Sequence, residues 1–281
     1  NKGNGWTMND TISFGASAEM DNGWVVSTSM MIDSGDNAGV RNIDNRSMTI
    51  DMGDSGSLTF YGSAGSTSLS LMDDTTPTAG EEAWDDVSGA TAHAYGGTGL
   101  DTFSYTNSSL MDGVTIGIDY IPSDGQTQIE SSIHTTLKYT GIEGLTIGIG
   151  MGEDNGEGPS DADEVSAFNV TYAMDAVSVG FSSFEVDTNN SGNSTAGTTH
   201  VGDTTLTAMG ISYAVSDDLS VSLNSSETEI QGLVDQEAMG ISASLVIGSM
   251  TLKANHNKVE NVGGTDGKDR SGYAMGLSFA F

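Results

Sequence analysis

The sequence predicts an all-β fold: a transmembrane antiparallel β-barrel formed as a single domain by residues 1–281. Three observations carry this. Apolar residues recur with period two, short turns alternate strictly with long polar connections, and the strands between them run to roughly ten residues, enough to cross a bilayer at a tilt of about 45°.

The alternation is clearest in Leu145-Thr-Ile-Gly-Ile-Gly-Met151, where every odd position is apolar and every even one is Thr or Gly. It recurs in Ile12–Met20, Val114–Tyr120, Met239–Ile247 and Tyr273–Phe281. Such a pattern turns one strand face to apolar surroundings and the other to water. It predicts that Ile116, Ile118, Ile147, Ile149, Ile241, Leu245, Leu277 and Phe279 face lipid, and that Thr115, Asp119, Thr146, Ser242, Ser244 and Ser278 face the lumen. The polar face is built from Gly, Ser, Thr and Asn rather than the Lys and Glu of a soluble sheet. The alternative is a soluble β-sandwich or solenoid, whose polar strand faces would be surface and whose apolar faces would carry bulky core residues from two packed sheets.

Tight connections fall at Asp21-Asn-Gly23, Asp54-Ser-Gly56, Met111-Asp-Gly113, Ile142-Glu-Gly144, Met174-Asp175, Ser216-Asp-Asp218 and Gly248-Ser249. Asp-Gly and Asn-Gly are hairpin chemistry, because glycine accepts positive φ. Between the turns lie polar connections at 34–46, 66–100, 122–130, 154–163, 188–203, 231–237 and 261–270, and Pro77, Pro122 and Pro159 fall in them or at their edges. Trp24, Tyr139, Tyr172, Tyr213 and Phe281 gather near the short-turn end on the apolar face, as an interfacial aromatic belt would.

Composition narrows the function. A net charge of −31, from 39 acidic and 8 basic side chains, leaves no patch to neutralise phosphates and excludes a nucleic-acid partner. The absence of cysteine removes thiol catalysis and thiolate metal sites. The N-terminus has neither the charged start nor the apolar core of a signal peptide, and no apolar run approaches the roughly 20 residues of a spanning helix. Parity adds one requirement. The reading counts fifteen strands, yet a lipid-facing edge must close and single-chain bacterial barrels are normally even. A sixteenth strand, first in the barrel, is therefore expected before Asn1, which makes 66–100 the third and longest outer loop.

At this point the chain resembles a Gram-negative general porin, the sixteen-stranded trimeric type, and most of all those of alphaproteobacteria. Thr11–Gly23 is similar to the family's second strand and first periplasmic turn. Gly56-Ser-Leu-Thr-Phe-Tyr-Gly62, leading into Ser70–Pro77, looks like its fourth strand and the start of an acidic third loop, and Gly276-Leu-Ser-Phe-Ala-Phe281 is similar to its C-terminal strand with a terminal Phe. The family's cluster of lumenal arginines is nearly absent. The resemblance implies a homotrimer in outer-membrane lipid, with long loops extracellular and short turns periplasmic. It also implies a third loop folded inward as a constriction, here carrying Asp73, Asp74, Glu81, Glu82, Asp85 and Asp86 and no Lys or Arg between Ser66 and Leu100.

Alternation points Lys138, Lys253 and Asp119 to the pore wall, with Arg46 at the rim of its strand. Most carboxylates lie on the long-loop side, where they would concentrate cations and repel anions. The expected function is a passive, water-filled, cation-preferring channel for small hydrophilic solutes. The alternative is an acidic surface or adhesive β-protein that binds divalent cations without conducting. No cofactor is expected, apart from Ca2+ or Mg2+ held by oxygen ligands in the cluster Glu153, Asp154, Glu157, Asp161, Asp163 and Glu164, which lacks a fixed calcium-loop spacing.

Two short matches lead nowhere. Gly53-Asp-Ser-Gly-Ser57 looks like a serine-protease nucleophile segment, but that chemistry needs a preceding His and the first is His93. Gly96–Ser104 fits a single calcium nonapeptide with no second copy to stack on. His93, His134, His200 and His256 share no ligand spacing, and no carboxylate pair sits in an apolar setting suited to acid–base work, so no enzyme is expected.

Overall fold

The computed structural model describes residues 11–33, 42–63, 67–72, 75–91, 101–123, 131–154, 163–188 and 203–279. Fifteen strands follow one another: β1 (Thr11–Glu19), β2 (Val25–Asp33), β3 (Asn42–Asp51), β4 (Ser57–Ser63), β5 (Thr102–Met111), β6 (Val114–Ile121), β7 (Ser132–Ile142) and β8 (Leu145–Asp154). The second half adds β9 (Asp163–Met174), β10 (Val177–Thr188), β11 (Thr204–Ala214), β12 (Leu219–Ile230), β13 (Gln236–Ile247), β14 (Met250–Glu260) and β15 (Arg270–Phe279). They form one sheet in which every strand pairs with its sequence neighbours, all antiparallel. In a meander of odd count β1 and β15 run the same way, and among the described residues no ladder joins them.

The tight turns lie where the hairpin chemistry puts them. Gly113 and Gly144 take φ of 72° and 75° directly before β6 and β8, a conformation a Cβ would strain. Long connections separate the other strand ends, so short and long links sit at opposite ends of the sheet.

Burial is inverted relative to a soluble protein. Large apolar side chains stand exposed on one face, among them Ile118, Ile149, Leu223, Ile241, Leu277 and Phe279. They share registers across strands, as in Leu245↔Leu252↔Leu277 and Ile149↔Phe168. An apolar face of this extent needs lipid rather than water against it. No described helix is long and apolar enough to cross a membrane, so the crossing is made by strands. Trp24, Tyr172 and Tyr213 are exposed on the same face near the short-turn end, while Phe281 lies outside the described residues.

The buried residues sit on the other face, beneath the long connection between β4 and β5. Leu69 and Met72 pack on Val165, Ala167, Phe184 and Val186. Ala83 and Val87 pack on Ala238, Val259 and Val262, and Trp84 on Leu206 and Ala208. The core of this protein is thus the seam between one loop and the inner wall. Because Ile147 pairs outward with Val170 and Thr146 inward with Thr171, Ile147→Arg is expected to lose about 2–4 kcal/mol and Thr146→Arg little. Denaturant unfolding of both variants in one lipid checks this, and equal losses would reverse the face assignment.

Candidate pore constriction

The loop between β4 and β5 is fastened to the wall strand by strand. It starts at Ser68, whose backbone N–H and hydroxyl both donate to Asp119 Oδ2 on β6, at 2.7 and 2.5 Å. Asp119 is fully buried, so it holds the loop instead of facing open water. Pro77 then passes β10, β11 and β12: Gly180 and Gly210 leave room where a Cβ would strike it, and Asn224 Nδ2 donates to its carbonyl at 3.1 Å. Ala79 N–H donates to Ser222 Oγ at 2.9 Å, and Ser222 pairs with Ser242 at 2.6 Å.

On the far side the wall supplies mostly amides. Asn257 Nδ2 donates to the carbonyls of Glu82 and Asp85 at 2.7 and 2.8 Å, and Asn255 Nδ2 donates to Asp86 Oδ2 at 2.8 Å. Arg270 donates to the Ser88 carbonyl. Gln236 closes the series by pairing both ways with the Thr91 backbone, at 2.9 and 3.1 Å. Most of these hydrogen bonds, each worth about 1 kcal/mol, involve loop backbone, so the path of the loop is fixed whatever its side chains carry.

That path gathers part of the expected acidic set. Glu81, Glu82 and Asp85 bring one oxygen each within 4.8 Å of one another, with Glu82 buried, Asp85 half-buried and Glu81 exposed. Asp86 is exposed and adopts φ of 58°, held there by Asn255. Asp73 and Asp74 lie outside the described residues. Among the described residues, Glu81, Glu82 and Asp85 are the one group of three whose ligand atoms converge in this way. The expected metal cluster around 153–163 lies only partly within the described residues. Glu153 pairs with Glu164 in the outward register of Ile149, and Glu157 and Asp161 lie outside the described residues.

Basic residues are sparse on the inner wall. Lys138 lies opposite the inward Thr115, and Lys253 opposite Ser244 and Gly276. Arg46 pairs with Met30 and packs against Gly62 in the outward register, which differs from the wall position expected for it. Arg270, at the edge of the long connection 261–270 in the sequence, pairs with the buried Val259 and so faces inward. The wall of β1 to β4 presents mainly hydroxyls, from Ser17, Ser27, Ser47, Thr49, Ser57 and Thr59, with Glu19 and Asp51 at its short-turn end and the Thr49 and Thr59 hydroxyls 2.9 Å apart. Among the described residues no Lys or Arg shares that register.

The comparisons fit this architecture. The family model for Gram-negative porins matches residues 1–229, and the chain belongs to that family. No curated protein sequence matches significantly. Among solved structures, the anion-selective porin from Comamonas acidovorans superposes with a TM-score of 0.71 at 13% identity, covering 96% of this chain and 89% of that one. OmpT of Vibrio cholerae gives 0.63 at 11% identity, with 97% and 89% covered, and a mutant of the Rh. blastica porin gives 0.64 at 15%, with 97% and 90% covered. The protein is therefore a β-barrel of the Gram-negative outer membrane, a passive channel and not an enzyme.

Proposed function

We propose that this channel passes small hydrophilic solutes and prefers cations, with the loop from Ser66 to Leu100 as its constriction. The observation that carries the preference is the charge arrangement. Glu81, Glu82 and Asp85 converge on the loop, while the wall of β1 to β4 opposite carries hydroxyls and, among the described residues, no cation. Carboxylates in a narrow aqueous path raise local cation concentration, and rings of them are a recurring cation filter. The porin from Comamonas acidovorans is named anion-selective, so sharing this fold leaves the sign of selectivity to the side chains.

The barrel closes with a sixteenth strand between β15 and β1, because those two edges run parallel and every other pair is antiparallel. The assembly is a homotrimer in outer-membrane lipid, with long loops outside and short turns periplasmic. A trimer form is named for the Vibrio cholerae neighbour. Small outward residues such as Ala16 and Ala18 on β1 would admit close subunit contact. Divalent cations are a further ligand of the outer carboxylates.

Stepwise conductance in planar bilayers tests the channel itself. The preference should then weaken as KCl rises, since the Debye length shrinks from about 10 Å at 0.1 M to about 3 Å at 1 M. A K+/Cl− permeability ratio unchanged over that range would remove the electrostatic filter.

A further inference from the structure

We infer that Asn257 on β14 is the positioning residue of the carboxylate group. The inference rests on the filter reading above and adds how the filter is held. Asn257 is fully buried, and its one amide nitrogen donates to two loop carbonyls, Glu82 O at 2.7 Å and Asp85 O at 2.8 Å. Those carbonyls bracket the turn that carries two of the three converging carboxylates, Glu82 and Asp85, with Glu81 directly before it. The turn is closed from within by Asp85 N–H to Glu82 O and by Glu82 N–H to Asp85 Oδ2, both at 3.2 Å.

The chemistry at this position is restricted. Three carboxylates within 4.8 Å repel one another and tend to splay the turn. A Lys or Arg clamp would oppose that but neutralise the charge the filter depends on. A hydroxyl has one donor hydrogen for two carbonyls. A primary amide has two donor hydrogens and no charge, so it fixes both ends of the turn and leaves the field intact. Because it does not titrate, its hold is independent of pH. Gly240 and Ala83 permit the approach: a Cβ on Gly240 would overlap Asn257 Oδ1 and crowd Ala83 Cα. Asn255, two residues earlier on the same inward face, fixes Asp86 through its carboxylate and leaves the turn at 82–85 to Asn257.

Asn257→Leu is close in volume and conserves net charge, so any change in selectivity reports carboxylate placement and not charge count. Wild type, Asn257→Leu and the triple variant Glu81→Gln, Glu82→Gln, Asp85→Asn are compared in planar bilayers under a KCl gradient. Heat-sensitive gel migration shows that each barrel has folded. The expected result is that the triple variant loses the cation preference and Asn257→Leu lowers the K+/Cl− permeability ratio at least twofold, with a noisier open-channel current. A folded Asn257→Leu channel with wild-type ratio and noise overturns the inference while the triple variant still upholds the filter. A triple variant with wild-type selectivity sinks the filter reading and this inference together. Should Asn257→Leu fail to assemble, Asn257→Ser, whose hydroxyl cannot serve both carbonyls, is held to the same two outcomes.

Discussion

Replacing Glu81, Glu82 and Asp85 together by Gln, Gln and Asn is expected to abolish most of the channel's cation preference. Two unit charges 4 Å apart interact by about 1 kcal/mol in bulk water and by more where water is confined. Three carboxylates acting on one passing ion, partly screened, therefore supply on the order of 2 kcal/mol, or roughly tenfold or more in permeability ratio at 0.1 M salt. Their oxygens lie within 4.8 Å of one another, so an ion near one is near all three. The effect should be far larger than that of neutralising outward carboxylates such as Glu153 or Glu164, which stand in the register of the lipid face. Reversal potentials of the folded triple variant and of Glu153→Gln check the contrast. Equal shifts in both would mean that the general charge of the protein, not this loop, sets selectivity.

The second large effect is steric. Gly180 and Gly210 occupy inward positions directly behind Pro77, and a Cβ at Gly210 would come 2.7 Å from the Pro77 carbonyl oxygen. Valine at both positions overfills a packed seam, at a cost of about 1–3 kcal/mol each. The loop is held at Asp119 before this point and at Asn257 and Gln236 after it. It therefore cannot swing out of the barrel, and the displaced stretch must move toward the hydroxyl wall of β1 to β4. Single-channel conductance should fall at least twofold while the barrel migrates as folded. Unchanged conductance would show that the Pro77 segment does not border the conducting path.

The strands, turns and faces are legible in the sequence because each has a local cause. Period two writes itself into most strands, and Asn-Gly, Asp-Gly or Glu-Gly marks three of the tight turns, at 22–23, 112–113 and 143–144. The clamps had no such local signal. Asn224, Asn255, Asn257 and Gln236 look like any polar residue on a lumenal face, and their partners in the loop lie about 145 to 175 residues away. Gly180, Gly210 and Gly240 read as ordinary small residues until the loop is seen against them. Arg46 and Arg270 were hard for another reason. In the sequence both fall at the edge of a long polar connection, 34–46 and 261–270, and the register shift between Arg46 and Ser47 breaks the alternation on which facing is read.

The most direct measurement is the zero-current potential of the wild-type channel across a tenfold KCl gradient centred near 0.1 M. The arrangement of Glu81, Glu82 and Asp85 opposite a wall of hydroxyls that, among the described residues, carries no Lys or Arg predicts a potential of the sign that marks K+ as the more permeant ion. A potential of the opposite sign, or one indistinguishable from that of free KCl diffusion, would contradict it.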